Sequence, residues 1–122
     1  MVSIVDDDEL ARSSLQGLIE VIGIPTLAFA SAEEFLDSGE QSRTACLITD
    51  IQLPGISGLE LQAKLNQENC TMPIIFITAH GDEDMRMQAL RAGAVEFLTK
   101  PLDGETLLHR VRAALRLEGL DL

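Results

Sequence analysis

The sequence predicts an α/β fold in which a parallel sheet of five strands lies between two layers of helices. Five short runs rich in aliphatic and β-branched residues alternate with stretches of helical spacing, and the links between them are short. The runs are too short for helices and mostly too apolar for strands with a solvated face, which is typical of buried parallel strands. The predicted strands span residues 2–5, 26–30, 45–49, 73–78 and 95–99.

The stretches between the strands have the spacing of amphipathic helices. Gly23 is expected to end the first helix, and Gly93 the fourth. The segments SAEE (31–34) and SGLE (57–60) match the capping-box pattern at the start of the second and the third helix. The fifth helix should start near Asp103. Met87 is a further candidate beside the expected inward-facing residues, which are Leu15, Leu18, Ile19, Ile22, Leu61, Leu65, Met85, Ala89, Leu90, Leu107, Leu108, Val111 and Leu115.

Five alternations of strand and helix imply right-handed crossovers in a doubly wound sandwich. A single (βα)5 layer of this length fits the flavodoxin-like strand order 2-1-3-4-5, in which ligands bind beyond the carboxyl ends of strands 1 and 3. No second domain or internal repeat is visible, so residues 1–122 are expected to form a single domain.

The charge and the cysteines limit the classes of function. The 20 acidic against 9 basic residues give a net charge of −11, which argues against binding of nucleic acid or an anionic membrane by this domain. No apolar run approaches the roughly 20 residues that span a bilayer, and no signal peptide precedes Val2. Cys46 and Cys70 follow no disulfide or zinc pattern, which predicts a reducing compartment, the cytoplasm.

Polar residues end four of the five predicted strands. Asp6 and its two acidic neighbours follow the first strand and Asp50 the third, Thr78 ends the fourth, and Lys100 follows the fifth. Because the carboxyl ends of parallel strands share one edge, these side chains should converge, although up to 94 positions separate them. Converging carboxylates suit a hard divalent cation such as Mg²⁺, and an ammonium and a hydroxyl beside them suit a phosphoryl group. An aspartate can act as the nucleophile.

Each of these residues also has a simpler explanation. An aspartate between a strand and a helix is usually an N-cap, a threonine is a good strand former, and a lone lysine is usually solvated. The inference of a site therefore depends on their convergence.

Four stretches of the chain resemble, in order, the receiver domains of bacterial two-component response regulators. They are IVDDDE (4–9), LITDIQLPGISGLEL (47–61), IIFITAHGD (74–82) and AGAVEFLTKPL (92–102). The TAHGD run and the last helix look most like receivers joined to helix-turn-helix DNA-binding outputs. The chain is then either a stand-alone receiver or part of a longer regulator whose output domain lies outside residues 1–122.

The resemblance implies roles for the acidic residues. Asp50 matches the aspartate that accepts the phosphoryl group. Asp6 and Asp7 match the pair that holds Mg²⁺ (or Mn²⁺), Asp7 directly and Asp6 through water. Gln52 would contribute its backbone carbonyl to the metal, and Asp8 has no counterpart in the site, so we expect it to start the first helix.

The resemblance also implies a set of switch residues. Thr78 matches the hydroxyl that moves onto the phosphoryl group, and Lys100 the lysine that pairs with it. The bond before Pro101 matches a peptide that is usually cis. Phe97 stands where the family has an aromatic switch, and the less favoured alternative is a core-edge residue of the last strand. His80 stands where the family tunes water access to the acyl phosphate, or is an inert surface group.

The implied function is a phosphorylation-activated switch. A histidine kinase would phosphorylate Asp50, and the face formed by helix 4, strand 5 and helix 5 would change, favouring a homodimer and controlling an output, expected to be transcription. Such a domain catalyses only its own phosphorylation and dephosphorylation. One alternative is a phosphatase of the haloacid-dehalogenase type, which is disfavoured because Gln52 replaces its general acid. Another is a phosphorylation-independent interaction module, which is disfavoured because every required position is filled.

Alanine variants of Asp7 and Asp8 should differ in their effects. Asp7→Ala should abolish Mg²⁺-dependent phosphorylation of Asp50 by acetyl phosphate. Intact-protein mass spectrometry measures the added phosphoryl group. Asp8→Ala should lower the free energy of unfolding by about 1 kcal/mol through loss of an N-cap and leave phosphorylation intact. The reversed result would place the metal ligand one residue later.

Overall fold

The five predicted strands form one parallel sheet in the computed structural model of the chain, which describes residues 1–79 and 81–117. The strand order is β2-β1-β3-β4-β5, which confirms the predicted 2-1-3-4-5 topology. Asp50 is the last residue of its strand and not the first residue after it. The strands are β1 (Val2–Val5), β2 (Thr26–Phe29), β3 (Cys46–Asp50), β4 (Ile74–Thr78) and β5 (Glu96–Thr99).

Helices alternate with the strands as predicted. Within residues 1–79 and 81–117, no helix is long and apolar enough to cross a membrane. A short 3₁₀ turn at Glu40–Arg43, between the second helix and β3, was not predicted. The α-helices are α1 (Glu9–Glu20), α2 (Ala32–Ser38), α3 (Gly58–Gln67), α4 (Glu83–Arg91) and α5 (Gly104–Leu117).

The helix starts follow the capping chemistry of the sequence, with one correction. The Asp8 side chain accepts a hydrogen bond from the Leu10 backbone N–H at the start of α1. The predicted box at the start of α3 is complete, with reciprocal bonds between Ser57 and Glu60. The box predicted for α2 is only half formed, because the Glu34 carboxylate accepts from the N–H of Ala30 and not from that of Ser31.

The first helix also ends earlier than expected. Its last residue is Glu20, and a turn over residues 21–23 follows, in which Gly23 has φ +84°. Met87 is 38 % exposed and lies outside the core, so its candidate inward role was wrong.

Two apolar layers enclose the sheet, one on each face. Because side chains alternate along a strand, successive residues of β1, β3 and β4 contribute to opposite layers. The layer with α1 and α5 contains Ile4, Ile48, Ile77, Ile19 and Val111, among others. The layer with α2, α3 and α4 contains Val5, Leu47, Phe76, Phe35 and Leu61, among others.

The register of the sheet determines what meets at its carboxyl edge. Val5 pairs with Thr49, so the residues that follow them, Asp6 and Asp50, lie side by side. Thr78 pairs with Thr99 at the neighbouring end of β4 and β5, immediately before Lys100. The strand ends therefore bring the predicted site residues to one place.

Two amide side chains of α3 hold the far end of α4. Gln62, only 2 % exposed, donates from Nε2 to the carbonyl oxygen of Ala89 at 3.0 Å. Asn66 donates from Nδ2 to the carbonyl oxygen of Ala92, also at 3.0 Å, at the protein surface. Carbonyls at a helix end lack intrahelical partners, so both bonds stabilise the end of α4. The first turn of α4, which contains Glu83, is by contrast exposed to solvent.

The buried bond should matter more than the exposed one. Gln62→Ala should lower the free energy of unfolding by about 1–3 kcal/mol, because it removes a buried amide and its hydrogen bond. Asn66→Ala should cost less than about 1 kcal/mol, because water replaces its bond. Urea denaturation followed by circular dichroism measures both, and equal effects would contradict this ranking.

Candidate phosphoryl-acceptor and metal site

Three carboxylates converge at the carboxyl edge of the sheet. Oxygens of Asp6, Asp7 and Asp50 all lie within 4.8 Å of one another. Asp6 is 2 % exposed and Asp50 is 8 % exposed, whereas Asp7 faces solvent. A set of carboxylate oxygens this close together, with one side open to water, fits a single hard divalent cation such as Mg²⁺ or Mn²⁺.

Local hydrogen bonds orient the two buried carboxylates. Oδ1 of Asp6 accepts from the N–H of Asp8 at 2.9 Å, and Oδ1 of Asp50 accepts from the N–H of Gln52 at 3.0 Å. Arg12 in α1 donates from Nη1 to the backbone carbonyl of Asp6 at 2.8 Å. These bonds engage one oxygen of each buried carboxylate and direct the other, Oδ2, toward Lys100.

Lys100 lies between the two buried acids. Its Nζ is 3.5 Å from Oδ2 of Asp6 and 3.4 Å from Oδ2 of Asp50, at the long end of hydrogen-bond range. Its backbone N–H donates to the carbonyl of Thr78 at 2.9 Å, and its peptide bond to Pro101 is cis. The ammonium group therefore neutralises part of the carboxylate charge without being committed to either partner.

Burial and charge shift the pKa of two of these groups. Burial raises the pKa of Asp50, and the negative charge of Asp6 adds to this, while the Gln52 N–H and Lys100 act in the opposite direction. Partial burial alone would lower the pKa of Lys100, but Asp6 and Asp50 outweigh it and raise that pKa above its usual value. Lys100 therefore stays charged at neutral pH, and Asp50 lies in surroundings that favour any added positive charge.

The loop after β4 lies directly over the predicted switch residues. Thr78 is fully buried at the end of β4, and Phe97 is half-buried against the core layer of α2, α3 and α4. A Cβ at Gly81 would lie 2.8 Å from Cε1 of Phe97 and 3.2 Å from Cγ2 of Thr78. A side chain at position 81 would therefore press against both of these residues and against Thr99, so Gly81 lies close to Thr78 and Phe97. His80 lies outside the described residues.

Two contacts of the site, one made by Gly58 and one by Arg12, were not predicted. A Cβ at Gly58 would collide with the carbonyl oxygen of Asp50 and lie 2.9 Å from Cα of Ile51, so α3 starts directly against the end of β3. The Arg12 bond to Asp6 was missed because a lone arginine on a helix is usually solvated. The glycine in SGLE was a possible signal of this close approach, since glycine is a poor helix former and its presence in the first turn of a helix needs a reason.

The family model described as "Response regulator receiver domain" matches residues 2–112 of the chain. The chain belongs to this family, which confirms the resemblance of its four motif stretches.

Relatives and solved structures agree with this assignment. Nodulation protein W of Bradyrhizobium diazoefficiens is 46 % identical over 93 % of this chain and 50 % of its own length. The transcriptional regulatory protein FixJ of Azorhizobium caulinodans is 41 % identical over 93 % of this chain and 54 % of its own length. A structure of the response regulator StyR has a TM-score of 0.88 and 40 % identity, over 95 % of this chain and 59 % of that one. The chain thus spans about half the length of the curated relatives that it matches.

Alanine at Gly58 should destabilise the protein, and alanine at Gly17 should not. The Cβ at Gly58 would collide with backbone atoms at the end of β3, an overpacking that costs about 1–3 kcal/mol. Gly17 lies in α1 with no atom within 4 Å of its added Cβ, so alanine there should stabilise by about 0.5–1 kcal/mol. Thermal unfolding of both variants tests the contact, and a Gly58→Ala protein as stable as the parent would refute it.

Proposed function

We propose that this chain is a phosphorylation-activated switch in which Asp50 accepts a phosphoryl group from a histidine kinase or from a small phosphodonor. The observation that carries the proposal is the convergence of Asp6, Asp7 and Asp50 within 4.8 Å, with Lys100 between the two buried acids. Membership of the receiver family supports the same reading. The domain catalyses only its own phosphorylation and dephosphorylation.

The nucleophile is Oδ2 of Asp50. The Gln52 N–H occupies Oδ1, whereas Oδ2 faces the Lys100 ammonium. Oδ2 forms a bond to phosphorus, the bond from phosphorus to the donor's imidazole nitrogen breaks, and its electron pair stays on that nitrogen. Lys100 stabilises the negative charge of the transferring phosphoryl oxygens.

Asp7, Asp50 and the backbone carbonyl of Gln52 would hold Mg²⁺ directly, and Asp6 would hold it through water; Mn²⁺ can take its place. When bound, the cation neutralises charge on the phosphoryl oxygens. The proximity of the three carboxylates supports this assignment.

The phosphoryl group changes the balance of charge at the sheet edge. It adds about two negative charges and several strong hydrogen-bond acceptors. Lys100 moves from its shared position toward the new oxygens, and the Thr78 hydroxyl turns toward them. Gly81 lies close to both Thr78 and Phe97, so a movement of Thr78 would change the space that Phe97 occupies. The face of α4, β5 and α5 then favours a homodimer or an output partner. His80 controls the access of water to the acyl phosphate, and so its hydrolysis.

The output is transcription, through a DNA-binding domain outside this chain. The curated relatives are about twice as long as the region matched, and one is named a transcriptional regulatory protein. The net charge of −11 disfavours contact of the receiver itself with DNA or an anionic membrane. The cysteine pattern supports action in the cytoplasm, where a histidine kinase supplies the phosphoryl group.

Substitution of Asp50 tests the proposal. With acetyl phosphate and Mg²⁺, the parent protein should gain one phosphoryl group, lose it in acid, and gain none when EDTA is present. Asp50→Asn should gain none, while Asp37→Asn, which changes an exposed acid on α2, should behave as the parent. Intact-protein mass spectrometry measures the added mass, and an acid-labile phosphoryl group on Asp50→Asn would refute the assignment.

A further inference from the structure

A carboxylate of α2 reaches the loop that follows β3, the strand that ends in Asp50. This loop, residues 51–57, begins with Ile51 and Gln52 and leads into α3. Oε2 of Glu33 accepts a hydrogen bond from the backbone N–H of Ile56 at 3.1 Å, across 23 positions of sequence. The bond therefore ties α2 to the segment that carries the Gln52 carbonyl.

The loop lies directly on this carboxylate. Gly55 has φ +75°, and a Cβ there would collide with Oε2 of Glu33 and lie 3.1 Å from its Cδ. Oε1 of Glu33 is buried and has no hydrogen-bond partner. The first turn of α2 favours a negative charge at Glu33, which offsets part of the cost of that burial. Glu33 as a whole is half-buried, but a carboxylate oxygen that is buried without a partner is costly, so its position against the loop needs an explanation.

The other bonds of the loop are local. The Gln52 N–H donates to Asp50 beside it, the Gly58 N–H donates to the carbonyl of Ile51 at 2.8 Å, and Ser57 takes part in the cap of α3. Within residues 1–79 and 81–117, Glu33 supplies the side-chain hydrogen bond that connects this loop to a distant element. Its removal would leave the loop held by its two ends and by the packing of Leu53 and Ile56 against the core layer of α2, α3 and α4.

We propose that Glu33 is a positioning residue for the cation site. By holding the N–H of Ile56, it keeps the loop in the conformation in which the Gln52 carbonyl and the Asp50 carboxylate face the same cation. Glu33 itself does not touch the cation. The inference rests on the proposed function, since it assigns Gln52 to the metal.

This role predicts a separation between cation affinity and maximal rate. Loss of the Glu33 bond should weaken Mg²⁺ binding by about tenfold, the smaller of the effects seen when residues that orient metal ligands are changed. The phosphorylation rate at subsaturating Mg²⁺ should fall by a similar factor, whereas the rate at saturating Mg²⁺ should stay within about twofold of the parent, because Asp50 and Lys100 are unchanged.

Glu34 provides a matched control. It is the next residue of the same helical turn, and its carboxylate accepts one hydrogen bond from the backbone N–H of Ala30. Glu33→Ala and Glu34→Ala therefore each remove one charge and one backbone contact from the start of α2. Glu33→Gln keeps an oxygen that can accept from Ile56. Isothermal titration with Mg²⁺ should show the tenfold loss in Glu33→Ala only, with the other two variants within about twofold of the parent.

A second variant tests the same contact from the loop. Gly55→Ala should weaken Mg²⁺ binding both by pushing the loop from Glu33 and by backbone strain at φ +75°. The double variant with Glu33→Ala should lose less affinity than the sum of the two single variants, since both break one shared contact. Parental Mg²⁺ affinity in Glu33→Ala would overturn the proposal, and so would an equal loss in Glu34→Ala or additive losses in the double variant. Failure of the parent itself to bind Mg²⁺ or to be phosphorylated at Asp50 would instead overturn the proposed function.

Discussion

The carboxyl edge of the sheet depends on the balance between three carboxylates and one ammonium group. Two negative charges 4.8 Å apart repel by about 3 kcal/mol at an effective dielectric constant near 20. Lys100, in contact with Asp6 and Asp50, offsets part of this repulsion, but three carboxylates against one ammonium group leave the cleft with an excess of negative charge. This excess of negative charge favours binding of a divalent cation. A bound cation beside the Lys100 ammonium would in turn favour binding of a phosphoryl group.

This balance requires a backbone that cannot relax to separate the charges. The Asp8 N–H and the Arg12 guanidinium hold Asp6, and the Gln52 N–H holds Asp50. The close start of α3 and the Glu33 bond restrain the loop that follows. Because these restraints come from α1, α2, α3 and the loop after β3, the packing of the three helices on the sheet helps to maintain the electrostatic arrangement.

The same packing leaves one part of the molecule less constrained. The C-terminal end of α4 is bonded to α3 through Gln62 and Asn66, whereas its first turn is exposed and follows the loop at Gly81. Gly81 lies close to Thr78 and Phe97. In the proposed switch, a change at the site would therefore reach the end of α4 that has fewer hydrogen bonds to α3 among the described residues.

The sequence by itself determined the architecture and most of the site, because strand and helix periodicity report which residues face the core and parallel strands must end at one edge. Asp6, Asp50 and Lys100 could thus be placed together without coordinates. Contacts between loops and helices were decided only by the tertiary structure. The SAEE segment indicated Glu34 as the partner of a nearby N–H, but gave no sign that Glu33 binds Ile56. Local patterns describe neighbours along the chain, whereas such bonds depend on how separate helices are oriented on the sheet.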